Sequence, residues 1–343
     1  MKQIFTILTA FLLLMGLAVG CTNTTVPDSE IPEYQTAIFA MDTFMRLRVF
    51  GDGAEPVLTA CEDLVRQVEN EISKTVTGSD VYKLNNSQGA PVTVTEKTAK
   101  LLIAAKEYSI RTDGAFDITV APLVDLWDIA NSTKPPQQSQ VDELLHLVGY
   151  EGMTVDGNVV TLDNGSIDLG AIGKGYVSDL LDELVRSHSA VSGALLDLGG
   201  NIVTIGTKPS GEPFVVGIRD PKGESADFLG YIKITDSFIV SSGDYERFFE
   251  HEGIRYHHIL DPKTGSPSRS DISEVSIICK NGAYADALST ALFVIGSEKA
   301  LEYYEQNRDF EAVIVTYDSM VYVTDGLKDN FTFTGAKAGY IYE

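Results

Sequence analysis

Basic side chains are scarce in this chain. Twenty-six Lys and Arg stand against 49 Asp and Glu, a formal net charge of −23 over 343 residues. Such a balance offers no cationic face to a phosphate backbone, which excludes nucleic acid as a partner, and it opposes electrostatic docking to anionic lipid. An anionic ligand would need local positive charge or a metal set against that field. Cysteine is nearly absent, at three residues, and no CxxC, HExxH or zinc-spaced cluster occurs. Neither the GxxxxGKS/T loop nor GxGxxG is present, so the two common phosphate-binding fingerprints are excluded. There is no internal repeat.

One long apolar run exists, Ile4–Val19, behind Lys2 and ahead of Leu17-Ala18-Val19-Gly20-Cys21. A charged start, a short apolar core and small residues before a cysteine describe a lipoprotein leader rather than a membrane span. The expectation is a signal peptide at 1–20, lipidation of Cys21, a polar tether over 21–36 and one domain over 37–343. The chain would then be lipid-anchored to the cell membrane, on the extracytoplasmic face. Cys61, on an apolar helical face, and Cys279, in a strand pattern, read as buried small hydrophobes.

The rest mixes helical and strand periodicities. Ala37–Val49 alternates as a first strand with Met41-Asp42-Thr43 inside it. Val57, Leu58, Cys61, Leu64, Val65, Val68 and Ile72 mark a long amphipathic helix. A second helix follows Thr95 and ends at Asp113-Gly114. Phe116–Val120 reads as a strand, Asn131–Gln140 as a polar loop and Val141–Val148 as a short helix. Asp156-Gly157 and Asn164-Gly165 are hairpin signals. Ala194–Asn201 reads as a buried strand, as do Phe214–Ile218, Phe238–Val240 and the stretch through Val275, Ile277 and Cys279. Tyr284–Ile295 is helical. The mixture predicts an α+β fold with mixed, largely antiparallel sheets and packed helices.

Three stretches carry chemistry. Ile167–Asp179, IDLGAIGKGYVSD, reads as a strand entering a glycine-rich turn that opens a helix with Lys174 in its first turns. Backbone amides at a helix start, joined by a lysine, suit a phosphate, although on local chemistry alone a plain strand–turn–helix is the commoner reading of such a stretch. On the later helix Asp286 and Thr290 share a face with Ser289 beside them. These are hard oxygen donors of the kind Mg²⁺ takes, although Asp286 could simply favour the helix N-terminus. Asp117 in GAFDITVAPLVDLW needs a partner if buried, or caps a local turn.

Taken in order, Met41-Asp42-Thr43, GAFDITVAPLVDLW, IDLGAIGKGYVSD, LLDLGGN, SSGDYERFF, YHHILDPKTGSP and ADALSTALFVIG resemble the ApbE family of FAD:protein FMN transferases. The resemblance runs from Ala37 to near Phe331. It implies the ApbE-like fold and Mg²⁺-dependent transfer of FMN from FAD, through its phosphate, to a Thr or Ser hydroxyl of an acceptor flavoprotein, with AMP released. It implies a metal site from the Ala171 carbonyl, Asp286, Thr290 and Ser289. It implies cofactor contacts from Met41, Thr75, Ala115, Phe116, Asp117, Asp168, Lys174 and Leu260, and a base at His258. Asp244 and Asp286 are the alternative bases. Two positions depart from the family pattern: Asp42 replaces the Gly of Met-Gly-Thr, and Lys74-Thr75 stands where many members carry an aromatic residue. Competing readings are a Mg²⁺-dependent FAD pyrophosphatase giving FMN and AMP, and a flavin-binding lipoprotein without chemistry.

Overall fold

The computed structural model describes residues 31–224 and 227–343. The expected leader, Cys21 and most of the tether lie outside them. The described chain is one compact unit from Ile31, and its first strand begins at Glu33, ahead of the boundary expected at 37.

A nine-stranded sheet organises the fold, with spatial order equal to chain order. Its strands are β1 Glu33–Ala40, β2 Thr43–Phe50, β3 Gly193–Asp197, β4 Asn201–Gly206, β5 Ser237–Gly243, β6 Ile272–Cys279, β7 Glu311–Thr316, β8 Met320–Val323 and β9 Ile341–Tyr342. All neighbours pair antiparallel except β8 and β9. Every residue of β6 is buried because both faces of the sheet are covered there. One face carries helices α1 Glu55–Ile72, α2 Glu96–Arg111, α3 Gly173–Ser187, α4 Gly282–Ile295 and α5 Ser297–Asn307. Val57, Cys61, Val65 and Val68 of α1 pack with Leu47, Val177 and Leu181 in the largest core. On the other face a three-stranded sheet (Phe214–Arg219, Phe228–Ile234, Phe331–Phe333) packs Val216, Ile218 and Ile232 against Ile239, Ile278 and Val313. The architecture is the α+β, largely antiparallel one that the periodicities predict. Cys61 and Cys279 are buried free thiols.

The departures have local causes. The single first strand is a hairpin: Met41 and Asp42 both sit in the left-handed region, at φ 50° and 58°, and turn the chain although neither is glycine. Ala194–Asn201 likewise folds back, at Gly199-Gly200, into β3 and β4. Phe116–Val120 is irregular because Asp117 captures its backbone, leaving one bridge between Val120 and Ser166. Ile167–Leu169 finds no partner strand and is also irregular, so Asn164-Gly165 closes no hairpin. The short helix spans Gln138–Leu145, started by a capping box at Gln137 and Gln140 inside the expected loop. Phe238–Val240 extends through Ser241 and Ser242 to Gly243.

Candidate active site

A cavity of about 860 Å³ opens where the hairpin tip, the end of α1, the start of α3, the middle of α4 and the ends of β4 and β5 converge. That is the size range of cofactor sites. Met41, Thr75, Ala115, Phe116, Asp117, Asp168, Ala171, Lys174, His258, Leu260, Asp286 and Thr290 all line it. Ser289 does not. It is fully buried behind the wall, its hydroxyl donating to the Asp286 carbonyl at 2.9 Å and meeting Ser242 Oγ at 2.9 Å.

The centre is a crossing of two helices through glycine. A Cβ on Gly175 would lie 2.2 Å from the Gly282 oxygen and 2.7 Å from Asp286 Cβ, and one on Gly282 would lie 2.5 Å from the Gly175 oxygen. Only glycine at both positions permits this approach. It brings the Asp286 carboxylate to the first turn of α3, where Oδ2 accepts the Gly175 amide at 2.8 Å. In a regular helical turn that amide would bond the Ala171 carbonyl. Here it does not, and among the described residues the Ala171 carbonyl accepts no backbone donor. Thr290, one turn beyond Asp286, has a hydroxyl without a hydrogen bond to any described residue and lines the same wall. Asn201 lies close enough to favour the ionised form of Asp286, yet its buried carboxamide makes no hydrogen bond of normal geometry.

A freed carbonyl, a buried carboxylate and an unengaged hydroxyl therefore face one space. This donor set fits a hard divalent cation that completes its shell with water and substrate phosphate. No group of three or more His, Cys, Asp or Glu able to hold a metal occurs among the described residues. The set thus carries one carboxylate only, which suits a cation shared with a phosphate. Burial raises the Asp286 pKa, while Lys174 and the Gly175 amide oppose that rise.

Cations meet the cavity from two sides. Lys174 lines it and lies in no ion pair among the described residues. Lys74 is committed: its Nζ lies 2.6 Å from Asp125 Oδ1 and 2.8 Å from Asp168 Oδ2. Lys74 thereby clamps Asp168, whose other oxygen accepts the Gly170 amide at 2.7 Å. Arg219 stacks 4.4 Å over the Tyr245 ring, and Arg247 Nη2 donates to the Asp42 carbonyl at 3.3 Å. Arg219, Tyr245, Glu246 and Arg247 all line the cavity without having been singled out in the sequence, although three of them lie in the quoted SSGDYERFF block.

His258 contributes a neutral imidazole. Its Nδ1 lies 3.3 Å from the Arg247 carbonyl, an acceptor, so Nδ1 carries the proton and Nε2 keeps its lone pair. Burial pushes its pKa down to about 4, with His257, Arg247 and Lys174 adding to the shift, although part of the ring faces the cavity. Asp244, one of the two alternative bases, is spent elsewhere. It is buried outside the lining, paired with Arg255 Nη1 at 3.2 Å and accepting from the Tyr317 hydroxyl at 3.2 Å.

Asp117 settles on its turn-forming role while lining the wall. Oδ1 accepts the Thr119 amide at 2.8 Å and hydroxyl at 2.7 Å, and Oδ2 accepts the Tyr150 amide at 2.8 Å. Across the cavity the Met41 amide donates to Glu69 Oε1 at 2.6 Å, which pins the strained hairpin tip to α1.

The sequence profile of the ApbE family matches residues 41–314. The chain is 33% identical over 332 residues to a FAD:protein FMN transferase of Treponema pallidum, covering 90% of this chain and 91% of that one. It is 30% identical over 299 residues to one of Escherichia coli K12, covering 83% and 85%. Among solved structures it is similar to an ApbE protein of Thermotoga maritima, with a TM-score of 0.78 at 30% identity over 91% of this chain and 100% of that one. It is similar also to the flavinyl transferase ApbE of Pseudomonas stutzeri in its apo form, with a TM-score of 0.74 at 26% identity over 89% and 94%.

Proposed function

The chain belongs to the ApbE family, and from that premise we propose that it is a FAD:protein FMN transferase working with Mg²⁺. In the reaction the oxygen of an acceptor Thr or Ser bonds to the phosphorus on the flavin side of FAD. The bridging P–O bond breaks, AMP leaves, and the hydroxyl proton passes to a base. The observation that carries the reading is the diversion of the Gly175 amide to Asp286, which frees the Ala171 carbonyl beside the Thr290 hydroxyl in the cavity wall.

Ala171, Asp286 and Thr290 would hold the metal, with Ser289 fixing the backbone of that helical turn. When bound, the ion supplies positive charge to the pyrophosphate oxygens. Lys174 adds a fixed cation that favours the developing charge on departing AMP. His258, neutral and with Nε2 free, accepts the proton of the acceptor hydroxyl. Met41, Thr75, Ala115, Phe116, Asp168 and Leu260 shape the walls for the flavin and adenosine ends, and Asp117 holds its loop in that shape. The leader pattern supports lipidation of Cys21 and attachment to the extracytoplasmic face of the cell membrane, where the acceptor is a flavoprotein bearing a Thr or Ser modification site.

The test is mass spectrometry of an acceptor domain incubated with the enzyme, FAD and Mg²⁺. A gain of one FMN on the acceptor is expected. FMN and AMP without an adduct would assign hydrolysis instead, and unchanged FAD would leave only binding. Asp286→Ala is expected to abolish turnover; undiminished activity in that variant would overturn the metal assignment.

A further inference from the structure

Phe39 and Phe44 face each other in register across the β1–β2 hairpin. Their rings meet edge to face, with centroids 5.1 Å apart, and they are 56% and 77% exposed. Two large rings this exposed on rigid strands stabilise each other across the hairpin and also leave an apolar patch open to a partner. The second sheet does not cover them; it reaches β2 at Phe50, whose ring stacks on Phe214 at 6.1 Å. Arg46 stands on the same face, two residues beyond Phe44, exposed and in no ion pair among the described residues. Oδ1 of its cross-strand neighbour Asp197 accepts the amides of Gly199 and Gly200, and that carboxylate forms no ion pair with Arg46. A strip of two rings and an unpaired cation thus stands on a protein of net charge −23.

The strip runs into the site. The residues between the two Phe positions include Met41 and Asp42, and these line the cavity. A macromolecule whose hydroxyl enters the cavity past this rim has the strip beside it.

Resting on the transferase reading, we propose that Phe39, Phe44 and Arg46 form the docking surface for the acceptor polypeptide. The ring pair takes an apolar or aromatic side chain of the acceptor. Arg46 takes an acidic one about 7 Å further on, the span of two residues along a strand. Charge favours this occupant over an anionic membrane, because the protein as a whole repels an extended anionic surface while Arg46 can meet a single acidic side chain.

The experiment compares wild type with Phe39→Ala/Phe44→Ala and with Arg46→Glu. The probe is a folded secreted flavoprotein domain carrying a Thr or Ser modification site. The double variant is expected to raise KM for the acceptor at least tenfold while the Kd for FAD, read by flavin fluorescence, stays at the wild-type value. Arg46→Glu is expected to raise KM several-fold, with the difference from wild type shrinking as salt rises from 0.05 to 0.5 M. An unchanged acceptor KM in both variants overturns the proposal. So does an unchanged KM accompanied by lost binding to zwitterionic vesicles or by lost self-association in sedimentation, either of which assigns the strip to another occupant. Wild-type enzyme that cleaves FAD without modifying the domain refutes the transferase reading itself, an outcome distinct from equal transfer by wild type and variants.

Discussion

Asp179 and Asp286 cap each other's helices. Asp179, on α3, accepts the Gly282 amide at 2.6 Å and the Ala283 amide at 2.9 Å, which satisfies the first turn of α4. Asp286, on α4, accepts the Gly175 amide in the first turn of α3. Orphan amides at two helix starts are thus met by carboxylates from the opposite helix, and each charge sits at the positive end of the other's dipole. One member of this pair is structural and the other faces the cavity.

Gly175→Ala is expected to part the helices, because its Cβ would meet backbone that cannot yield. The expected cost is about 1–3 kcal/mol in urea unfolding. Affinity for Mn²⁺, followed by electron paramagnetic resonance, should fall at least tenfold. A variant with normal metal affinity would show that the crossing does not set the donor geometry.

The two carboxylates should separate on conservative substitution. Asp179→Asn weakens a helix cap and is expected to cost about 1 kcal/mol with metal affinity within twofold of wild type. Asp286→Asn removes the one anionic donor facing Ala171 and Thr290, and is expected to abolish Mn²⁺ binding while the protein stays folded. Isothermal titration with Mn²⁺ on both variants checks this.

Glu274, in the centre of β6, is fully buried; one oxygen accepts from Ser276 Oγ and the other has no partner. Burial pushes its pKa up to about 8. A carboxyl that holds its proton more tightly folded than unfolded stabilises fully below about pH 4.5, and that contribution is lost as pH rises towards 8. Wild type should therefore lose stability relative to Glu274→Gln across this window, by a few kcal/mol. Urea midpoints at pH 5, 6.5 and 8 read the difference; parallel curves would mean an ionised Glu274.

Asp42 holds a left-handed conformation without glycine's freedom. Asp42→Gly is expected to raise stability by about 1 kcal/mol through relief of that strain. Thermal unfolding measures it, and a lower midpoint would mean that the carboxylate holds the turn.

If His258 is the base, the acid limb of kcat/KM, which reports the free enzyme, should fall near 4 rather than near 6.5. Transfer at pH 5.5 should then keep more than half its pH 7 value. A rate already halved near pH 6.5 would assign the limb to another group.

One pair of the site was legible because helical spacing is rigid; most of the other lining residues were named only through the resemblance to the ApbE family. Asp286 and Thr290, four apart, had to share a face, and they share the cavity wall. What escaped depended on partners distant in the chain. Ile167–Leu169 has strand composition, but no neighbouring strand offers an edge to it. The hairpin at Met41-Asp42 lacks the Asn-Gly that marks such turns, and its strain is carried by Glu69, 28 residues away. Asp117 left two readings open because only the fold brings Tyr150 to it. The role of Gly175 was hidden in the same way: a glycine between Lys174 and Tyr176 says nothing of the Gly282 that it must meet.

The cavity wall draws on residues from Met41 to Thr290, about 250 positions apart along the chain. Its strand β5 is the fifth of nine in the main sheet, and α4 comes later still. A growing chain therefore has no place for a dinucleotide until almost the whole domain has been synthesised. Such dependence on distant pairings slows folding. It also sets an order of events, in which the fold is complete before the nucleotide is taken up.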